Sequence, residues 1–141
     1  MKTLTHKFVE FIPENIKENI LYVSIEYSTA VHKCCCGCGN EVVTPFSPTD
    51  WNLTYDGESI TISPSIGNWN FKCKSHYYIR NNEIHWAEIW SEKEIKKGRL
   101  LDKTSKSIYY ADKNKQSKQK SKVVVKEKKW SFWNWLIGKK L

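Results

Sequence analysis

Alternating apolar and polar positions give the first signal in the chain. Over 20–31, ILYVSIEYSTAV, the residues Leu21, Val23, Ile25 and Tyr27 fall on one side, and Tyr22, Ser24, Glu26 and Ser28 on the other. A period of two predicts one half-buried strand. Phe8, Val9, Phe11 and Ile12 predict an earlier strand that Pro13 stops. WNLTY and ESITIS flank Asp56-Gly57, and HYYIR and EIHWAEIW flank Asn81-Asn82. Asp-Gly is a strong hairpin pair, and Asn tolerates the positive φ that tight hairpins need. Pro45, Pro48 and Pro64 punctuate the connections. The pattern predicts a mainly β fold: a small antiparallel β-rich domain.

After Trp90 the pattern changes. Ser91-Glu92-Lys93-Glu94 fits a capping box, and Gly98 is placed to stop a helix of one to two turns. Residues 103–129 are rich in Lys, Ser and Gln and read as a flexible linker. In WSFWNWLIG, Trp130, Trp133, Leu136 and Ile137 return at helical spacing, with Phe132 beside them. The expected organisation is a metal-binding β-rich domain over 1–100, a basic flexible linker over 101–129 and a short amphipathic aromatic helix over 130–141.

Composition narrows the class. With 40% hydrophobic and 27% charged residues in 141, the chain has the make-up of one folded domain, not of a disordered one. Seven Trp predict an aromatic-heavy core. The sequence holds no run of about 18 apolar residues, the length that spans a bilayer. MKTLTHKFVEF lacks the apolar stretch of a secretory signal. A cytoplasmic location is therefore expected, where thiols stay reduced.

The net charge of +8 is unevenly spread: residues 1–90 hold 7 Lys/Arg and 10 Asp/Glu, net −3, and residues 91–141 hold 16 and 5, net +11. A basic tail follows an acidic body, so nucleic-acid binding through the body is disfavoured. The tail suits an acidic partner or an anionic membrane surface, and its aromatic end is long enough for an interfacial helix but too short to span.

The strongest chemical signal is HKCCCGCG at 32–39 with CKSH at 73–76. Five Cys, four of them within 34–38, make a poor disulfide framework but a good source of thiolate ligands. Gly37 and Gly39 let the chain turn sharply enough for neighbouring thiolates to face one ion. The candidate zinc ligands are Cys36, Cys38, Cys73 and His76, with Cys34 and His32 in reserve. The spacing also allows Cys35 with Cys38 as a C-x-x-C-G knuckle, Cys34 with Cys36, or all three of the alternating Cys34, Cys36 and Cys38. An iron–sulfur site of the two-Cys, two-His type is the lesser alternative, because His-x-Cys here reverses the usual order.

Several segments stand in a specific order and spacing: His32–Gly39, VTPFSPTDW at 43–51, Tyr55-Asp-Gly57, PSIGNW at 64–69, and CKSHY at 73–77, with Ile79 and Trp86. In these the chain resembles a small bacterial family known only as a domain of unknown function, over roughly residues 6–90. Members are often encoded near ubiquitin-like proteins, their activating enzymes and zinc isopeptidases. The resemblance implies a role in a bacterial ubiquitin-like conjugation pathway, with a ubiquitin-like protein or its conjugation enzymes as partners.

Three functions follow as expectations. The first is a zinc-stabilised protein-interaction module of that pathway. The second is a small hydrolase, a peptidase acting on a ubiquitin-like protein through Ser65, His76 and Asp50, with Ser47 and Ser75 as alternates. A metallopeptidase with Glu41 or Asp50 as base is a variant of it. The third is a nucleic-acid-binding zinc module that uses the tail. His76 cannot both ligate zinc and act as general base, so the ligand set decides between the first two. If zinc takes Cys34, Cys36, Cys38 and Cys73, the imidazole is free for hydrolysis.

Overall fold

The computed structural model describes residues 2–137, with side chains described as far as 117. Eight strands form two four-stranded sheets. The first holds β1 (Thr5–Phe8), β2 (Ile20–Ser24), β3 (Thr29–Lys33) and β4 (Glu41–Pro45) in that order. The second holds β5 (Asn52–Tyr55), β6 (Ile60–Gly67), β7 (His76–Arg80) and β8 (Glu83–Trp86). A helix, α1 (Glu92–Ile137), follows. Every pairing is antiparallel except β1 with β2, which is parallel.

Both sheets feed one core. Leu21, Val23, Ala30 and Val42 from the first pack with Ile60, Ile62, Ile66, Tyr77, Ile79 and Ile84 from the second. On the outer side of the first sheet, Tyr22 and Val31 join Ile16 in a smaller cluster. β2 is therefore covered on both faces, and Leu21 to Ser24 are all buried.

The two hairpins read from Asp56-Gly57 and Asn81-Asn82 form as expected. Asn81 and Asn82 both take positive φ, 49° and 64°. The other early expectations shift. Alternation over 20–31 predicts one strand, but the chain turns at Ile25–Ser28 and makes two. Ser28 has φ 47°, and the Ser24 hydroxyl accepts the Tyr27 N–H at 3.3 Å. Ile25 and Tyr27 are exposed at this turn, not buried. The apolar period ran on through a turn whose signal is local hydrogen bonding, not composition. The first strand ends at Phe8 instead of spanning 8–12, and Phe8 and Phe11 are exposed.

The capping box is in place: Ser91 N–H and its hydroxyl both donate to Glu94 Oε2, at 2.8 and 2.7 Å. The helix does not stop at Gly98, and it runs through the stretch whose composition reads as a linker. Lys, Gln, Glu and Leu are good helix formers, and no proline lies beyond Pro64 to interrupt them. The chain forms two compact units, Met1–Lys97 and Gly98–Leu141. The side chains of the aromatic stretch 130–137, and residues 138–141 altogether, lie outside the described residues, and so does their docking.

Candidate functional site: a Ser–His pair beside a four-thiol cluster

The segment 73–77 feeds two sites. It runs from a turn, with Lys74 at φ 43°, into β7, where His76 and Tyr77 point to opposite faces. Cys73, Ser75 and Tyr77 go toward the cysteine turn and core, and His76 goes the other way.

The thiols converge first. The Cys34 Sγ lies 3.3 Å from Cys36 and 3.9 Å from Cys73, and Cys38 lies 3.7 Å from Cys73. All four sulfurs sit within 4.8 Å of one another. The turn depends on its glycines: Gly37 and Gly39 take φ of 86° and 78°, values that a side chain would strain. Cys34 closes the turn by donating its N–H to the Asn40 carbonyl at 2.8 Å. Donors then point at sulfur. Asn40 Nδ2 reaches Cys38 at 3.2 Å, the Ser75 hydroxyl lies 3.1 Å from Cys34, and Asn68 Nδ2 reaches Cys34 at 3.7 Å. The Asn40 backbone N–H brings the Cys38 thiol down to about 6, while burial pushes the Cys34 thiol up and the Cys36 thiol up to about 12. Donors that favour thiolate are the surroundings a metal site needs. The four Cys could hold a metal ion.

This set differs from the expected ligands at one position. Cys36, Cys38 and Cys73 are in the cluster, but the fourth sulfur is the reserve residue Cys34, not His76. The other reserve, His32, is also elsewhere: it is fully buried and its Nε2 meets the Tyr77 hydroxyl at 2.8 Å. Its Nδ1 is buried with no hydrogen-bond partner, and burial brings the imidazole down to about 4. Among the described residues, the metal-capable group holds four Cys and no His. Cys35 points into the core, where burial pushes its thiol up to about 11.

His76 stands on the other face with both ring nitrogens engaged. Its Nε2 lies 2.9 Å from Ser65 Oγ, and its Nδ1 lies 2.8 Å from the Glu88 carbonyl oxygen. A carbonyl can only accept, so Nδ1 carries the proton. In the neutral ring Nε2 is then a bare lone pair, and the Ser65 hydroxyl donates to it. Ser65 reaches this position through a bulge in β6. Ile62 pairs with Ile79 and Ile66 with Tyr77, so β6 spends four residues where β7 spends two. A bulge re-aims side chains that a regular ladder would fix.

Aromatic rings enclose the imidazole. Ring centroids of Trp69 and Trp90 lie 5.0 and 5.3 Å from it, and the two indoles stack at 5.3 Å and 16°. Gly67 is the cross-strand partner of His76. A Cβ there would lie 2.4 Å from the Trp69 indole. The missing side chain is what admits the indole.

Asp50 does not take the third position. Its carboxylate accepts the Ser47 hydroxyl at 2.6 Å in the loop after β4, while His76 Nδ1 is already given to Glu88. Ser47 is thus part of that turn, and Ser75 belongs to the thiol cluster. The Glu88 carbonyl was missed in the sequence, because a backbone acceptor has no residue-type signal.

The site and fold define a small two-sheet β domain with a Ser–His pair on one side of a strand and a four-thiol cluster at its start. A family model described as bacterial ubiquitination-like system serine protease (BubE) matches residues 8–87. That is more than half the chain, and the chain belongs to this family. Membership places it in a bacterial ubiquitination-like system, as the resemblance in its segments implied. No curated protein matches the chain, and no solved structure does. Among the described residues, no helix is long and apolar enough to cross a membrane.

Proposed function

We propose that the chain is a serine peptidase that cleaves a ubiquitin-like protein of its own bacterial system, with Ser65 as nucleophile and His76 as general base. The observation that carries this reading is the 2.9 Å contact from Ser65 Oγ to a His76 Nε2 whose other nitrogen is tied to a carbonyl. The description of the matching family as a serine protease supports it. In the first step Ser65 Oγ attacks the scissile carbonyl and His76 Nε2 takes the hydroxyl proton. The imidazolium then protonates the departing amine, leaving an acyl-Ser65 ester. Water, deprotonated by His76, hydrolyses that ester and restores the hydroxyl. The Glu88 carbonyl orients the ring but brings no full negative charge to the imidazolium, unlike a triad carboxylate.

The metal in this reading is zinc in a closed structural site. Zinc bonded to four thiolates at about 2.3 Å puts its sulfurs roughly 3.8 Å apart, near the spacings seen here. Four protein ligands leave no open position for substrate, so the metallopeptidase variant loses its support. The interaction-module reading drew on His76 as a ligand, and Cys34 now fills that place. A cytoplasmic location, where the thiols stay reduced, belongs to the same reading.

The test pairs two variants. Ser65→Ala and His76→Ala should each cut cleavage of a ubiquitin-like precursor by at least about 10³-fold. Elemental analysis should find one colourless zinc per chain in the wild type and in both variants. Metal lost on His76→Ala, or cleavage surviving Ser65→Ala, would overturn the assignment.

A further inference from the structure

The segment between β8 and α1 touches His76 in three ways. The Ala87 N–H donates to the His76 carbonyl at 2.9 Å. The Glu88 carbonyl accepts the Nδ1 proton at 2.8 Å. Trp90 packs its indole against the imidazole at an interplanar angle of 72° while stacking on Trp69. Just beyond, the segment is pinned. Ser91 and Glu94 close the capping box, the Ile95 N–H donates to the Ser91 carbonyl at 3.0 Å, and the Ile95 side chain is buried. Glu92 pairs with Lys74, which sits between Cys73 and Ser75. The strap is therefore fixed at its far end to the turn that opens β7.

We propose that residues 87–95 act as the orienting member of the Ser65–His76 pair, with Trp90 as a positioning residue. The proposal rests on the hydrolase reading above and adds the part that a side-chain carboxylate would otherwise play. A neutral imidazole has two tautomers, and only the Nδ1–H form leaves Nε2 able to take the Ser65 proton. The strap selects that form by presenting a carbonyl to Nδ1. Trp90 holds the carbonyl there by anchoring the strap on Trp69, and it shields the ring from water that would compete for either nitrogen. Glu88 and Trp90 both lie beyond the residues that the family model covers.

The experiment uses full-length protein labelled with ¹⁵N-histidine, in wild type, Trp90→Ala, Trp90→Phe and Glu94→Ala forms. It reads the ring-nitrogen shifts of His76, the rate at which a fluorophosphonate labels Ser65, and the melting temperature. Wild type should show Nδ1 protonated and Nε2 unprotonated. Trp90→Ala should mix the tautomers and slow labelling by about 10-fold or more, since misorienting the base forfeits much of a general-base contribution. Trp90→Phe should recover most of the rate. Glu94→Ala, which loosens the strap from outside the site, should slow labelling in the same direction and serves if Trp90→Ala fails to fold. Unchanged nitrogen shifts and labelling rate in folded Trp90→Ala or Glu94→Ala would overturn the proposal. A wild-type Ser65 that resists the probe would count against the hydrolase reading alone. The His76 shifts would then decide the strap: a tautomer change in the variants supports it, and none overturns it.

Discussion

At the scale of single residues, the two sites make separable demands. Cys73 is a thiol of the cluster and Cys35 is not, although Cys35 sits between two cluster thiols in the sequence. Cys73→Ser should lower bound metal well below one per chain and lower the melting temperature, since a structural metal adds its binding free energy to folding. Cys35→Ala should keep the metal and lose only the stability of a buried small side chain. Inductively coupled plasma analysis beside a thermal melt checks both, and metal lost equally from both variants would refute the four-thiol assignment. Gly67 makes the opposite kind of prediction. Its added methyl would meet the Trp69 indole at 2.4 Å, so Gly67→Ala should cost about 1–3 kcal/mol by overpacking. It should also slow Ser65 labelling, because the indole that gives way lies against His76. A denaturant melt with the same labelling assay reads both effects. Unaltered rate and stability would show that the indole is free to move.

At the scale of elements, hairpin turns carry much of the legible information. Asp56 accepts the backbone N–H of Ser59 at 2.7 Å and of Glu58 at 2.9 Å, which holds its carboxyl down at about 2. A carboxyl depressed by folding contributes stability above its unfolded value of about 3.9 and loses it as pH falls through about 2. The stability gap between wild type and Asp56→Ala should therefore narrow between about pH 4 and pH 2. Urea melts across that window test it, and a constant gap would mean the turn does not depend on the ionised carboxylate. Asp56-Gly57 and Asn81-Asn82 were readable because their residue types impose backbone conformation. The turn at Ile25–Ser28 was not, since its apolar period passes through it unbroken. The bulge in β6 was also invisible, because it is a mismatch between two strands and neither strand alone records it.

At the scale of the molecule, the described buried apolar residues run from Leu4 to Ile95 and all fall in the unit Met1–Lys97. A chain truncated after Lys97 should fold, keep its metal and label at Ser65 at close to the full-length rate. Circular dichroism and labelling check this, and an unfolded product would make the basic segment part of the folding unit. Composition alone fixed the charge division and the cysteine-rich turn, since counts and spacings need no tertiary contact. Ser65, His76 and Asp50 became candidates by residue type only after the resemblance implied a pathway that needs a peptidase. Which of them meet was decided by the pairing of β6 with β7. At the start of β7 His76 faces away from Tyr77 and meets Ser65, while the turn before the strand brings Cys73 to the other thiols. The third partner, a backbone carbonyl, came from the strap after β8. Every residue carries such a group, so only the folded arrangement could single out Glu88.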